Sequence, residues 1–184
     1  MLPPGWPPGP VDQREIEIRP DVLSYTSEVL DAPYTVIGAV RVTLFAASSA
    51  ADTDFVARLV DVHPDGRAIN LADGIIRLSC RAGYPAAGRI ELERAVSVTP
   101  GTAYELCIDL QATAVTFLPG HRIRVDVTSS SHPRWIRHTN TASNPLDATE
   151  LVVASQQILH DPQRPSRIHL TVGPEDSDAR PTGR

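Results

Sequence analysis

Lysine is absent from this sequence of 184 residues, so all seventeen of its basic side chains are arginine. That absence excludes catalysis through a lysine Schiff base and phosphate binding by a Walker-type lysine. No apolar run approaches the roughly 20 residues that a membrane-spanning helix needs, and no apolar leader stands at the N-terminus. We therefore predict no membrane partner and a cytoplasmic location.

The sequence is also poor in aromatic residues, at 5%, and has only two cysteines. Cys80 continues an apolar alternation, whereas Cys107 lies in the polar phase of another segment. Opposite phases disfavour a disulfide between them, so two free thiols are predicted. The net charge of −5, with no basic stripe, argues against nucleic acid as a partner. A chain of this length buries enough surface to fold without a disulfide or a structural metal, and no cofactor is predicted.

A nucleophile elbow is missing as well. Serine hydrolases of the α/β type carry their serine in a G-x-S-x-G turn between a strand and a helix, because only there does the hydroxyl lie beside an oxyanion hole. No glycine in this chain is followed two positions later by serine or cysteine. The alternation of strands and helices that would carry such a turn is also absent. No catalytic residue is therefore predicted.

The dominant period in the sequence is two, which predicts β-strands with one buried face. Residues 55–62 are apolar in both phases apart from Arg58 and Asp61, which is typical of a central strand. Eight or nine strands with no sustained helical period predict an all-β fold, either a β-sandwich or a jelly roll. The alternating apolar sets are Val40, Val42 and Leu44; Tyr104, Leu106, Ile108 and Leu110; Ile123, Val125 and Val127; and Ile168, Leu170 and Val172.

Proline and glycine mark the turns. The sequence His-Pro-Asp-Gly at 63–66 has turn chemistry, because proline presets φ and glycine accepts positive φ. Asp-Gly at 73–74 and Pro-Gly at 119–120 predict two further reversals. Residues 86–96 give only a weak hint of a helical turn.

The two ends of the chain have a different composition from its middle. Residues 1–10 hold five prolines and predict an extended or disordered lead-in. Residues 173–184 mix glycine, proline and acids and predict a disordered tail. The predicted sandwich domain therefore spans residues 11–172.

None of the six histidines stands in a zinc-binding spacing such as H-E-x-x-H. His121 and His169 lie in polar phases of strands, which predicts solvent-exposed positions for both. His132 and His138 are six positions apart in a loop, where ordinary hydrogen bonding is favoured over metal binding. No metal ligand is predicted.

Several aspartates are close enough in the sequence to be considered as metal ligands. Asp52 and Asp54, with Asp61 and Asp65 nearby, are candidate oxygen ligands for Ca²⁺, although their spacing does not match an EF-hand loop. The favoured interpretation is that Asp52 or Asp54 caps a turn and pairs with an arginine. The His-Asp pair at 160–161 would suit the orientation of an imidazole, but without a nucleophile it is interpreted as a turn.

The loop at 129–144 (SSSHPRWIRHTNTASN) is the most unusual segment. Trp135 lies between Arg134 and Arg137, and a large amphipathic ring flanked by cations suits a protein interface. Packing of Trp135 over an open end of the sandwich is an equal alternative, and stacking on a sugar is a third. Because loops on rigid sandwiches often carry function, Arg134, Trp135 and Arg137 are the candidate interface residues.

Five blocks stand in a fixed order along the chain: residues 9–14 (GPVDQR), 21–30 (DVLSYTSEVL), 52–68 (DTDFVARLVDVHPDGRA), 117–123 (FLPGHRI) and 160–166 (HDPQRPS). In this order they resemble the C-terminal domain of the cocaine esterase and X-prolyl dipeptidyl-peptidase family of serine hydrolases. The resemblance runs from about residue 9 to residue 172, and the block at 52–68 is its most specific part.

The resemblance implies a jelly-roll β-sandwich, similar in shape to galactose-binding domains, packed against an α/β-hydrolase domain. In that family the catalytic serine, aspartate and histidine all belong to the hydrolase domain, so none is carried onto this chain. The opening strands of the family domain have no counterpart here, which implies an exposed sheet edge. The loop also departs from the family pattern, with Ile136, His138 and Ala142 where Asp, Asn and Gly are usual.

Three functions are compatible with these observations to different degrees. The favoured one is an accessory module of a serine hydrolase, whose partner is an α/β-hydrolase domain. In relatives that domain belongs to the same chain, and here an association between separate chains is left open. It predicts an exposed apolar face larger than a monomer usually shows. The second is a free-standing carbohydrate- or ligand-binding jelly roll, and the third is an independent hydrolase. A homo-oligomer is left open in each case.

Overall fold

The computed structural model describes residues 9–83, 95–143 and 146–173, which form eight β-strands and two short helical segments. One turn of α-helix, α1, spans Arg14–Glu17, and a 3-10 helix spans Leu78–Gly83. None of the described helices is long and apolar enough to cross a membrane. The strands are β1 (Leu23–Thr26), β2 (Tyr34–Ser48), β3 (Asp54–Val62), β4 (Ala68–Arg77), β5 (Tyr104–Phe117), β6 (Arg122–Thr128), β7 (Gln156–Leu159) and β8 (Arg167–Val172).

The strands form two antiparallel sheets packed face to face. The first sheet has the order β1-β6-β3-β4. In the second sheet β2 is central, with β5 along one side and β7 and β8 along the other, each pairing with a different part of β2. The prediction of an all-β sandwich is therefore confirmed.

The hydrophobic core lies between the two sheets and is built from the apolar phases of the strands. The sets predicted on β2, β5 and β6 all belong to it or pack against it. Ile168 and Leu170 of β8 also pack against the core, but Val172 is exposed at the end of that strand, so its predicted burial is wrong. Burial of each large aliphatic side chain in such a core contributes on the order of 1.5–3 kcal/mol.

Strand β3 is buried on both of its faces along its whole length. Its inner phase, which includes Phe55, Ala57 and Leu59, belongs to the core between the sheets. Its outer phase includes Val56, Arg58 and Val60, which are also buried although they point away from the second sheet. This confirms the prediction of a central strand, and it means that other parts of the chain must cover the outer face of the first sheet.

Two of the three predicted turns are confirmed and one is wrong. The turn at 63–66 joins β3 to β4, with Gly66 at φ 86°, and the turn at 119–120 joins β5 to β6, with Gly120 at φ 84°. Asp73 and Gly74, in contrast, lie inside the continuous strand β4. Gly74 is needed because β5 of the other sheet approaches closely, and a Cβ atom on it would lie 2.1 Å from the Asp109 carbonyl oxygen.

Both cysteines are free, as predicted. Cys80 lies in the 3-10 helix, so its interpretation as the continuation of a strand alternation is wrong. Most of the weak helical hint at 86–96 lies outside the described residues, as do residues 1–8 of the predicted lead-in and residues 174–184 of the predicted tail.

The close approach at Gly74 gives a stability prediction. We expect Gly74→Ala to lower the free energy of unfolding by about 3 kcal/mol, because the added methyl group meets backbone atoms that cannot rotate away. Urea denaturation followed by circular dichroism measures the effect. The control is Gly101→Ala, where no atom lies within 4 Å of the added Cβ and only the strain of φ +79° applies, about 1 kcal/mol. Equal losses in the two variants would contradict the close approach.

Candidate interaction surface

A row of polar side chains crosses the outer face of the first sheet, one from each strand. Cross-strand pairing places Ser24 of β1 beside Asp126 of β6, Asp126 beside Arg58 of β3, and Arg58 beside Asp73 of β4. Ser24 Oγ donates a hydrogen bond of 2.6 Å to Asp126 Oδ1. Arg58 and Asp126 are buried, so the row carries charge out of water and needs partners within the protein.

The loop at 129–138 closes over this row. Arg58 Nη2 donates to Ser131 Oγ at 2.9 Å, and Arg134 Nε lies 2.8 Å from Asp73 Oδ2. The Arg134 guanidinium lies over the ring of half-buried Trp135, 4.9 Å from its centroid. Two of the three predicted interface residues, Arg134 and Trp135, are therefore brought together, and Arg134 joins the loop to the sheet.

Burial shifts the pKa values of the row. Desolvation raises the pKa of Asp126 to about 6, against a lowering by the Ser24 hydrogen bond and a further rise from the nearby Glu17 carboxylate. Desolvation also raises the pKa of Asp73 and lowers that of Arg58. Asp126 Oδ2 and Arg58 Nη1 have no hydrogen-bond partner among the described residues. The row is an incompletely satisfied ionic network, in which loss of one partner costs more than its presence gains.

One side of the sandwich is open between its two sheets. Two adjoining clefts, of about 420 and 370 Å³, open there and share Val127 and Ile158. Residues of β1 and β6 line one wall, while β7, β8 and residues 151–154 line the other. Val42 and Leu44 of the core form part of the lining of the second cleft. We name this feature, formed by both clefts, the open-side cleft.

The rim of the open-side cleft is apolar and exposed. Leu23 and Tyr25 of β1 are 45% and 41% exposed, and Val153 on the opposite rim is 96% exposed. Leu151 and Val152 beside it are exposed as well. Strand β1 is also the edge of the first sheet, with all four residues exposed. Apolar side chains gathered along a cleft and an unpaired edge are typical of an interaction surface.

Arg137 lines the first part of this cleft and is exposed, whereas neither Arg134 nor Trp135 lines it. The structure thus separates the three predicted interface residues into a packing pair and one cleft residue. The apolar rim residues were missed, because a few isolated apolar residues in loops and on a short strand carry no periodic signal.

The acidic residues considered as Ca²⁺ ligands each bind a different partner within the protein. Asp54 pairs with Arg77 at 2.9 Å, and Asp52 accepts hydrogen bonds from the amide and hydroxyl of Ser79. The predicted arginine pairing is confirmed for Asp54, whereas Asp52 bonds to the start of the 3-10 helix, 27 positions away, and does not cap a turn of its own. Asp65 pairs with Arg67 in its own turn, and Asp61 contacts two histidines instead.

The histidines divide between confirmed and wrong predictions. His169 is exposed, and His138 accepts a hydrogen bond from the Asn140 amide, so ordinary loop bonding is confirmed there. His121 is buried against Asp61, and its predicted exposure is wrong because a charged partner on the neighbouring strand is invisible to local periodicity. Asp161 caps its turn through the amides of Gln163 and Arg164, as predicted.

One hydroxyl–imidazole contact occurs among the hydrogen bonds of the described residues. Thr43 Oγ1 lies 3.0 Å from His169 Nε2, where β2 and β8 pair. Neither residue lines the open-side cleft, and no third group among the described residues forms a hydrogen bond that orients the imidazole. The pair therefore lacks the geometry that activates a nucleophile.

Residues 6–169 match the family described as the X-Pro dipeptidyl-peptidase C-terminal non-catalytic domain. The chain is 46% identical over 168 residues to a cocaine esterase from Rhodococcus sp. (strain MB1 Bresler), a match that covers 89% of this chain and 28% of the esterase.

Two solved structures are similar to this fold. One is an aminopeptidase from a marine sediment Thaumarchaeota archaeon, with a TM-score of 0.80 and 31% identity, covering 89% of this chain and 27% of that one. The other is an α-amino acid ester hydrolase, with a TM-score of 0.79 and 30% identity, covering 88% and 27%. The chain thus spans less than a third of the length of each of these proteins.

The raised pKa of Asp126 gives a pH-dependent prediction. Between pH 4 and pH 6 the folded state holds a proton that the unfolded state has lost, so the stability contributed by this residue falls as pH rises through that window. Asp126→Asn removes the titration. Relative to that variant, we expect the wild type to lose roughly 2 kcal/mol between pH 4 and pH 7.5, discounted for solvent screening.

Urea denaturation of both proteins at several pH values measures this difference, and the comparison cancels the titration of carboxylates that do not interact with Asp126. Asp161→Asn is the matched control, because Asp161 is a surface residue whose pKa is lowered by Arg164. A stability difference between wild type and Asp126→Asn that does not change with pH would show that Asp126 titrates normally.

Proposed function

Since the chain belongs to the family of X-Pro dipeptidyl-peptidase C-terminal non-catalytic domains, we propose that it serves as the accessory β-sandwich of a serine hydrolase. Its partner is an α/β-hydrolase domain that cleaves an acyl ester or a peptide bond. The single observation that carries the proposal is the open-side cleft, an apolar surface that reaches the core and that the described residues leave uncovered.

The lengths of the relatives support this division of labour. The chain matches 28% of the cocaine esterase and 27% of the α-amino acid ester hydrolase. The remaining part of each hydrolase has room for a catalytic domain, and we place the nucleophile there. The chemistry of this chain agrees, because its one hydroxyl–imidazole contact among described residues lies outside the cleft.

The geometry of the cleft determines how such a partner would bind. Docking there would bury Leu23, Tyr25 and Val153 at once, and it would cover the free backbone groups along the edge of β1. Both the removal of apolar surface from water and the pairing of an open edge favour association. Arg137 on the rim offers a cation for a carboxylate of the partner.

The alternative of a carbohydrate-binding module has less support. Stacking on a sugar needs a free aromatic face, and the Arg134 guanidinium already lies over the Trp135 ring. Trp135 is also removed from the open-side cleft.

The finer classification follows from the same reasoning and is proposed with it. We assign the sandwich to the jelly rolls, with a shape similar to galactose-binding domains, and we take residues 11–172 as the domain between a lead-in at 1–10 and a tail at 173–184. Two antiparallel sheets and the family membership support the class. Two free cysteines support a cytoplasmic location.

The proposal is tested by complementation. The cocaine esterase relative is made without the 168-residue segment that this chain matches, and the two proteins are mixed. We expect no hydrolysis of 4-nitrophenyl acetate by this chain alone, and increased activity and thermal stability of the truncated esterase when this chain is added. Hydrolysis by the isolated chain would contradict the proposal.

A pair of exposed apolar residues locates the docking surface. Val153→Asp places a charge on the rim of the open-side cleft, whereas Ile37→Asp places one on the outer face of the second sheet. We expect Val153→Asp to weaken association with the truncated esterase at least about tenfold, and Ile37→Asp to leave it unchanged. Isothermal titration calorimetry measures both affinities. The reverse order of effects would move the interface to the second sheet.

A further inference from the structure

Three potential metal ligands meet at one end of the first sheet, away from the surfaces described above. Asp61 lies near the end of β3, His63 follows that strand, and His121 precedes β6. His121 Nδ1 lies 2.8 Å from Asp61 Oδ1, and His63 Nε2 lies 3.5 Å from Asp61 Oδ2. The three ligand atoms all lie within 4.8 Å of one another.

The strand register explains why these side chains converge. Asp61 and His63 are two positions apart, so their side chains point to the same face. Asp61 pairs with Ile123 and Val62 with Arg122, and the same register continued by one residue brings His63 opposite His121. The two imidazole rings accordingly lie with centroids 4.4 Å apart. The arrangement is thus a product of antiparallel pairing and not of a local sequence motif.

The site is enclosed on one side and open on the other. The side chains of Asp61 and His121 are 11% and 10% exposed, whereas that of His63 is 25% exposed. The Asp61 carboxylate turns one oxygen toward each imidazole. The site thus holds several ligand atoms close together, mostly shielded from water and with few other partners.

The two histidines lie at different distances from the Asp61 carboxylate. The contact between Asp61 and His121 is a normal hydrogen bond, but 3.5 Å from Asp61 to His63 is too long for a good one. In a tetrahedral site with bonds near 2.0–2.1 Å, neighbouring ligand atoms are about 3.3 Å apart. The two distances run to different oxygens of Asp61, so they do not by themselves form one coordination shell. The three ligand atoms, which now lie within 4.8 Å of one another, would reach the tetrahedral spacing through small side-chain rotations.

We propose that Asp61, His63 and His121 bind a first-row divalent cation of the zinc class. Imidazole nitrogens with one carboxylate suit Zn²⁺ and its neighbours, whereas Ca²⁺ prefers oxygen ligands alone. Three protein ligands leave one position of a tetrahedral shell for solvent, on the exposed side of His63.

Coordination requires a change in protonation and the displacement of one contact. When His121 Nδ1 donates its lone pair to the metal, that nitrogen gives up its proton and the neutral ring carries its single proton on Nε2, by exchange through solvent. When His63 binds through Nε2, its remaining proton moves to Nδ1, which lies 3.4 Å from Arg67 Nη2. The Arg67 side chain is half exposed and also bonds to Asp65, so it can turn away from the ring.

Metal binding would tie two turns together. The turn after β3 carries His63 and Pro64, and the turn before β6 carries Gly120 and His121, where a Cβ on Gly120 would lie 3.4 Å from the Pro64 ring. A cation between these turns binds the folded state and not the unfolded chain, so it raises the melting temperature.

The test uses the full chain, freed of any affinity tag and of metal, with Zn²⁺ as the probe. We expect calorimetry to show one Zn²⁺ bound per chain, a higher melting temperature with Zn²⁺, and no effect of Ca²⁺. His63→Gln should weaken binding at least about tenfold, because it removes one of three ligands. The matched control His169→Gln, which changes an exposed strand histidine, should bind like the wild type.

Two outcomes would overturn the proposal: no stoichiometric binding by the wild type, or equal affinity in the wild type and His63→Gln. Circular dichroism checks that each variant is folded. Should His63→Gln fail to fold, Co²⁺ added to the wild type decides, because a four-coordinate nitrogen and oxygen site gives visible absorption bands that Zn²⁺ then bleaches. Absence of those bands would also reject the site.

Discussion

The burial of β3 on both faces is the constraint from which the rest of this structure follows. Its inner face needs the second sheet, which supplies the hydrophobic core. Its outer face carries Arg58, whose charge is buried and must be balanced by Asp126 and Asp73 on the neighbouring strands. The loop at 129–138 covers this row through Ser131 and Arg134. The segment that looks most like an interface in the sequence is thus used to complete the fold.

Arg137 of the same loop lines the open-side cleft, which is the surface that we assign to a partner. Here the core residues Val42 and Leu44 line a cavity, and the rim is apolar on both sides. A domain with this surface is stable because β3 is enclosed, yet it leaves apolar area exposed that a second domain can bury. This combination suits an accessory domain, whose stability does not depend on a catalytic site of its own.

Much of the fold could be predicted from the sequence because the signals are local. Alternation identifies the buried faces of β2, β5 and β6, and two apolar phases identify β3 as central. The failures come from contacts between residues distant in the chain. Gly74 was interpreted as a turn because only the approach of β5 explains it. His121 was predicted to be exposed because its partner, Asp61, lies on another strand. The open-side cleft combines residues from six strands and several loops, and no single stretch of sequence records that combination.

The proposed function is tested most directly by where the proposed hydrolase domain would touch this chain. Hydrogen–deuterium exchange, followed by mass spectrometry with and without the truncated esterase, measures this for each peptide. The account predicts slower exchange in residues 23–26 and 151–159, which form the two walls of the open-side cleft, and little change on the outer face of the second sheet. Protection confined to β5, or no protection anywhere, would contradict it.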